Sequence, residues 1–180
     1  MEFQTNPYLI WQVVPGIILL GIGVYIQSRP VKKRESDAFS LLMFGGSLWA
    51  FANAVQFITP DLGWQRFWNG VMYFGIMTVP TSWFLLSVKL TGVMRERIEK
   101  IERFLWLVPA VLYLTFLTSG FHKLFFTVFQ ATAIGGYVAL ENSYGPLFYV
   151  HTGYSYLLIV SGIVMLVISL IAKFKQYGVQ

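Results

Sequence analysis

Of the 180 residues, 56% are hydrophobic, 18% aromatic and only 12% charged; a soluble domain of this length carries about twice that charged share. The chain has no cysteine, which excludes structural disulfides, cysteine-based zinc or iron–sulfur sites and a cysteine nucleophile. The net charge of +5 flanks apolar runs, where it orients a membrane protein, and calls for no nucleic acid.

A bilayer span takes about 20 mostly apolar residues, and five segments read as spans: residues 9–27, 39–58, 67–90, 105–118 and 147–172. The expected fold is an all-α integral membrane protein, a five-helix transmembrane bundle forming a single domain over 1–180. The first run is too long for a cleaved signal peptide and has no Lys or Arg before it, so it stays as a helix. Pro30 ends that helix, and Ser36 or Asp37 caps the second. The basic cluster Lys32-Lys33-Arg34 between them is suited to anionic lipid headgroups. Thr59-Pro60-Asp61-Leu62-Gly63 has the composition of a tight turn, and Trp64, Phe67 and Trp68 next to it form an interfacial aromatic belt. In the third span, Pro80 removes a backbone hydrogen bond and marks a kink or hinge. Between residues 91 and 103, Arg95 with Glu99, Glu99 with Arg103 and Glu96 with Lys100 are spaced as ion pairs on a solvated helix leading into the fourth span.

The connection over 119–146 is long enough to need structure of its own. Runs of strand formers at 124–132 and 137–141 flank Gly135-Gly136, a hairpin-turn signal. An isolated hairpin is marginal in water, so this one is expected to lie over the mouth of the bundle. The fifth span then opens on Tyr144-Gly-Pro-Leu-Phe-Tyr-Val-His151-Thr-Gly-Tyr154-Ser-Tyr156, a polar and aromatic stretch ahead of an almost unbroken aliphatic run. Alternating sides across five spans puts 11 Lys and Arg residues on one face and only Arg66 and Lys123 on the other. Positive charge is retained in the cytoplasm, which predicts the N-terminus and hairpin outside, the C-terminus inside, and a multi-pass protein of a prokaryotic inner membrane.

Polar groups inside a membrane are costly, so they mark either packing seams or function. Ser47, Thr78, Thr81 and Ser82 read as interhelical hydrogen-bonding groups. Asn53, Gln56, Tyr73, His151 and Tyr154 fall in the outer half and are expected to share a polar pocket. Within it, His151 and Glu141 serve as polar contacts, and Tyr144, Tyr154 and Trp83 as aromatic walls. His122 anchors the hairpin and Pro80 acts as the hinge. Protonation of His122 or His151 near neutral pH is itself a candidate signal.

Other chemistries lack the residues they need. A retinal Schiff base requires a lysine deep in a helix, whereas Lys89 and Lys173 lie at helix ends. The two histidines, with Glu141 as the nearby carboxylate, do not make the paired ligands of a membrane haem. No metal and no cofactor is expected. The spans hold no Asp or Glu to relay protons, and the chain shows no phosphate loop or nucleophile elbow.

In order, Ser47-Leu-Trp49-Ala-Phe, Tyr73-Phe-Gly-Ile-Met-Thr-Val-Pro80-Thr-Ser-Trp83, Leu90-Thr-Gly92, Phe121-His122-Lys-Leu-Phe125 and the Tyr144 to Tyr156 block resemble one family. It is the N-terminal seven-helix membrane region at the front of histidine kinases and related signalling proteins. The resemblance implies a sensory input module, not an enzyme, that perceives a small-molecule or lipid ligand and relays it to a cytoplasmic signalling domain, as a homodimer in the bilayer. Five expected spans in place of seven, with no kinase, PAS or cyclase domain behind them, suggest a sensor fragment or a stand-alone relative. The alternative is a small oligomeric transport or channel subunit; the near-absence of polar residues over 157–171 argues for sensing.

Overall fold

A computed structural model of the protein describes residues 9–93, 97–134 and 137–177. The expected ion pairs of Arg95 and Glu96, and the Gly135-Gly136 turn, lie outside the described residues. Helices α1 (Leu9–Gln27), α2 (Ser36–Ile58), α3 (Leu62–Thr91) and α4 (Ile98–Leu117) lead to a single turn, α5 (Ser119–His122). Two strands follow, β1 (Phe126–Ile134) and β2 (Tyr137–Tyr144), and then the long helix α6 (Pro146–Tyr177).

Helices α1, α2, α3 and α6 are long and apolar enough to cross a membrane. Helix α4 is not one of these: any 18 consecutive residues within it include Lys100, Glu102 and Arg103. Its uncharged part, residues 104–117, is about 21 Å long at 1.5 Å per residue, short of the ~30 Å hydrocarbon core. In α3 56% of the most apolar stretch is buried, against 11% in α1 and in α6, so α3 is the centre on which α2, α4 and α6 pack.

Small residues decide how closely. Ala38, Gly45, Ala52 and Thr59 recur every seven residues and are all buried, keeping one face of α2 towards α3. At the closest point a Cβ on Gly75 would stand 2.6 Å from the Gly45 carbonyl oxygen and 2.7 Å from the Trp49 backbone nitrogen. Helix α1 lies antiparallel on the other side of α2, with Gly16 against the Phe51 ring and Gly23 against Phe44. The buried Ser47 hydroxyl donates to the Gly16 carbonyl at 2.9 Å. Helix α6 runs parallel to α3: the Trp83 indole donates to the Ile159 carbonyl at 3.2 Å, and Gly162 makes room for Trp83 and Ser87. Helix α4 returns antiparallel, tied to α3 by a Lys89–Glu102 ion pair at 3.2 Å and by the Tyr113 hydroxyl on the Gly70 carbonyl at 3.1 Å.

Helix starts correct two expectations. Ser36 does not cap α2: Glu35 occupies that position without a side-chain bond, and the Ser36 hydroxyl accepts from the Lys33 N–H at 3.0 Å. Helix α3 begins earlier than residue 67, because Asp61 accepts from the Trp64 N–H at 2.9 Å and caps it at Leu62. It ends on Gly92 in the left-handed region, φ 72°.

The strands pair antiparallel, with a register shift between Phe126 and Val128 that leaves Thr127 as an extra residue. The hairpin does not stand alone. Gln65, fully buried, donates its amide to the Thr59 carbonyl at 2.6 Å and the Val138 carbonyl at 2.9 Å, joining the end of α2, the start of α3 and β2. On the other flank the Gly145 N–H donates to the Phe125 carbonyl at 2.8 Å and the Leu147 N–H to the Leu124 carbonyl at 2.9 Å.

Candidate functional site

Where the hairpin meets the bundle, aromatic rings form a continuous packed layer. Tyr73 of α3 stacks on Phe116 of α4 with centroids 4.9 Å apart, and both meet Phe125 and Phe126 edge-on. Phe125 and Phe126 are almost completely buried. The layer continues through Phe148 at the start of α6, which stacks on Tyr144 at 3.9 Å. Edge-to-face and offset pairs of this kind stabilise beyond the area they bury.

Beside this layer is a crevice of about 370 Å³ between α2, α3 and α6, lined by Trp49, Tyr73, Ile76, Pro80, His151, Ser155 and Tyr156 among others. His151 is 95% buried; its ring packs beside Phe125 and its Nε2 lies 3.4 Å from the Ser155 hydroxyl. Thr152 also lines the crevice, but its hydroxyl donates to its own helix at the Phe148 carbonyl, 2.9 Å. Pro80 has no N–H, so the carbonyl of Ile76 loses its intrahelical donor. Trp49 and Tyr156 are exposed on the outside of the bundle. A mostly apolar recess with a few polar groups suits a lipophilic molecule bearing a hydrogen-bonding group. Among the described residues no group of three His, Asp or Glu side chains comes together to hold a metal.

The expected site residues do not all meet here. His151, Tyr73 and Pro80 line the crevice. Trp83 lies one turn further along α3, with its indole bound to Ile159. The Tyr154 hydroxyl donates to the Leu105 carbonyl of α4 at 2.8 Å, a carbonyl that Pro109 cannot engage. Tyr144 belongs to the aromatic layer. Asn53 lines a different groove with Trp11 and Gln12, and the Gln56 side-chain carbonyl is buried without a hydrogen-bond partner. His122 accepts from the Leu124 N–H through Nδ1 at 3.0 Å, just before β1, and meets the Thr118 hydroxyl at 3.0 Å. Ser155, expected beside His151 and Tyr154 as part of the pocket wall, lines the crevice, whereas Trp49 and Ile76 are lining residues that the expected set omits. Trp49 is a wide aromatic that lines the recess together with Pro80.

Glu141 lies on the hairpin surface, accepting from Thr132 at 2.6 Å and Gln130 at 3.1 Å. Those two bonds hold its carboxyl below the ordinary value of 4.5. A lowered folded value means the stabilisation is fully present above the unfolded value and is lost as pH falls through the folded one. Hairpin opening, followed by amide exchange corrected for its intrinsic rate, should increase from about pH 6 to about pH 3 and stay flat in Glu141→Gln.

A family described as the N-terminal 7TM region of histidine kinase matches residues 12–180. The chain belongs to that family. Comparison with curated proteins and with solved structures finds no match. Membership in the histidine-kinase sensor family makes this a membrane sensory region, and the matched part is the N-terminal one, not the kinase. The match covers both the crevice and the aromatic layer.

Proposed function

We propose that this chain is a signal-input module whose crevice beside His151 and Pro80 takes a lipophilic ligand from the outer leaflet or the outside, and reports it to a cytoplasmic output domain. The observation that carries this is a recess with few polar groups, opening past Trp49 and Tyr156 on the bundle's lipid-facing side, in a chain of a sensory family. Orientation is part of the proposal. The α1–α2 turn, the C-terminal end of α3 and the start of α4 come together through contacts of Ala38, Leu85, Val88 and Ile98. Helix α6 ends on the same side, with Met165 in that cluster, so most of the Lys and Arg residues gather at the end opposite the hairpin. Positive-inside retention then puts the hairpin outside and Lys173 and Lys175 in the cytoplasm of a prokaryotic cell.

In this reading α4 is a fifth, short span, its Glu102 neutralised by Lys89. Exposed apolar faces of α1 and α6 accept a second copy as readily as lipid, which accommodates a homodimer. The parallel pair α3 and α6 supplies the route inward, since both line the crevice and both continue to the basic end.

The test is photo-crosslinking in liposomes with a diazirine-bearing long-chain alcohol. Labelling should concentrate on residues 73–80 and 148–159. Ser155→Phe, which fills the recess, should reduce it severalfold, while Asn53→Ala in the separate groove should leave it unchanged. Labelling spread evenly along the exposed face of α1, indifferent to Ser155→Phe, would show that the recess holds nothing.

A further inference from the structure

A second crevice, of about 520 Å³, opens at the basic end of the bundle where α1 ends, α2 begins and α3 ends. Its apolar lining includes buried Leu86, half-buried Phe39 and the more exposed Leu90. Its rim carries Arg29, Lys33 and Glu35. We infer that this crevice binds an anionic phosphodiester lipid with a hydroxyl-bearing headgroup, of the phosphatidylglycerol type, from the leaflet at that end.

The two cations differ in how they are held. The Arg29 guanidinium sits over the Tyr25 ring, 4.5 Å from its centroid, and donates to the Tyr25 hydroxyl, so it is already positioned before anything binds. The neighbouring Lys32 ammonium is engaged by the Gln27 side chain at 2.7 Å. By contrast, among the described residues no partner binds the Lys33 ammonium; only its backbone is held, the N–H by the Ser36 hydroxyl and the carbonyl by the Ser36 N–H. A fixed guanidinium next to an unengaged ammonium is a phosphate-binding pair.

Geometry and charge then narrow the occupant. All three helices meeting here are long and apolar enough to cross a membrane, so the rim lies at the depth of lipid headgroups and the apolar part at the depth of acyl chains. A free anion would leave Phe39, Leu86 and Leu90 uncovered, whereas one lipid covers them and meets the cations with its phosphate. The turn carries Arg29, Lys32, Lys33 and Arg34 against Glu35 and Asp37, an excess of positive charge. Glu35 opposes a dianionic phosphomonoester, but its carboxylate can accept from headgroup hydroxyls. A monoanionic phosphodiester bearing glycerol hydroxyls satisfies all three rim groups.

Purified full-length chain in detergent, given equimolar phosphatidylglycerol and phosphatidylcholine, provides the test, with bound lipid counted by native mass spectrometry. One phosphatidylglycerol per chain should be retained in about tenfold preference. Arg29→Gln with Lys33→Gln should abolish that preference, and Lys33→Gln alone, which leaves the Tyr25 contact intact, should lower it about fivefold. Lys173→Gln with Lys175→Gln, which removes the same charge from the same end of the bundle, should leave it unchanged. Equal retention of the two lipids would overturn the assignment, as would equal losses in the two double variants, which would mean a general attraction to basic residues. Displacement by millimolar inorganic phosphate would assign the pair to a free anion.

Discussion

Gly75→Ala is expected to destabilise the bundle by about 3 kcal/mol, and Gly75→Leu by more. The atoms that a new Cβ would strike are backbone on the facing helix, at 2.6 Å and 2.7 Å, so no side-chain rotation relieves the contact. The two central helices must separate, and α4 and α6 are referenced to α3 while α1 is referenced to α2. Gly21→Ala is the matched control: its added methyl meets nothing within 4 Å, and the higher helix propensity of alanine contributes about 1 kcal/mol in the opposite direction. Thermal unfolding in micelles should therefore move downward for one variant and upward or not at all for the other. Equal behaviour of the two would mean that α2 and α3 do not approach as described.

The second large effect is at the aromatic layer. Phe125→Ala removes a ring with 0% exposure that touches Tyr73, Phe116, Phe126 and Phe148, and it should cost about 3–5 kcal/mol through lost burial and the cavity left behind. Phe121→Ala, four residues earlier, removes a ring that is 94% exposed and should cost almost nothing by the same measurement. The loss at Phe125 should be local as well as global: the segment 126–144 should become cleavable by protease before the helices unfold. Resistance of that segment in Phe125→Ala would show that Gln65 and the backbone bonds of Gly145 and Leu147 hold the hairpin down without the ring.

These two sites also mark what sequence could and could not give. Run length and charge were enough to find α1, α2, α3 and α6, and two strand-forming runs around Gly135-Gly136 were enough to expect β1 and β2. The seven-residue spacing of Ala38, Gly45 and Ala52 is legible too, and it carries the close backbone approach of α2 and α3 at Gly45 and Gly75. Helical spacing says which residues share a face, but not which neighbour occupies it; Asn53 and Gln56 are three apart, yet Asn53 faces the groove beside α1. Gln65 sat unremarked among belt aromatics because its two acceptors are supplied by Thr59 and by Val138, 73 positions away. The Tyr154 bond was derivable in principle, since a proline at 109 frees the carbonyl four residues before it, but choosing the donor required the position of α6.

That bond has a mechanical consequence. Helices α2, α3 and α6 are locked by glycine-mediated backbone approach and by an indole wedged between turns, whereas α4 touches α6 over little surface and is fastened to it chiefly by the hydroxyl of Tyr154. A single neutral hydrogen bond contributes about 1 kcal/mol, comparable to thermal energy. The bundle thus has a stiff side and a yielding one: α4 keeps its place through α3, by the Lys89–Glu102 pair, the Tyr113–Gly70 bond and the Phe116 stack, while its seam with α6 is the one held by a single bond.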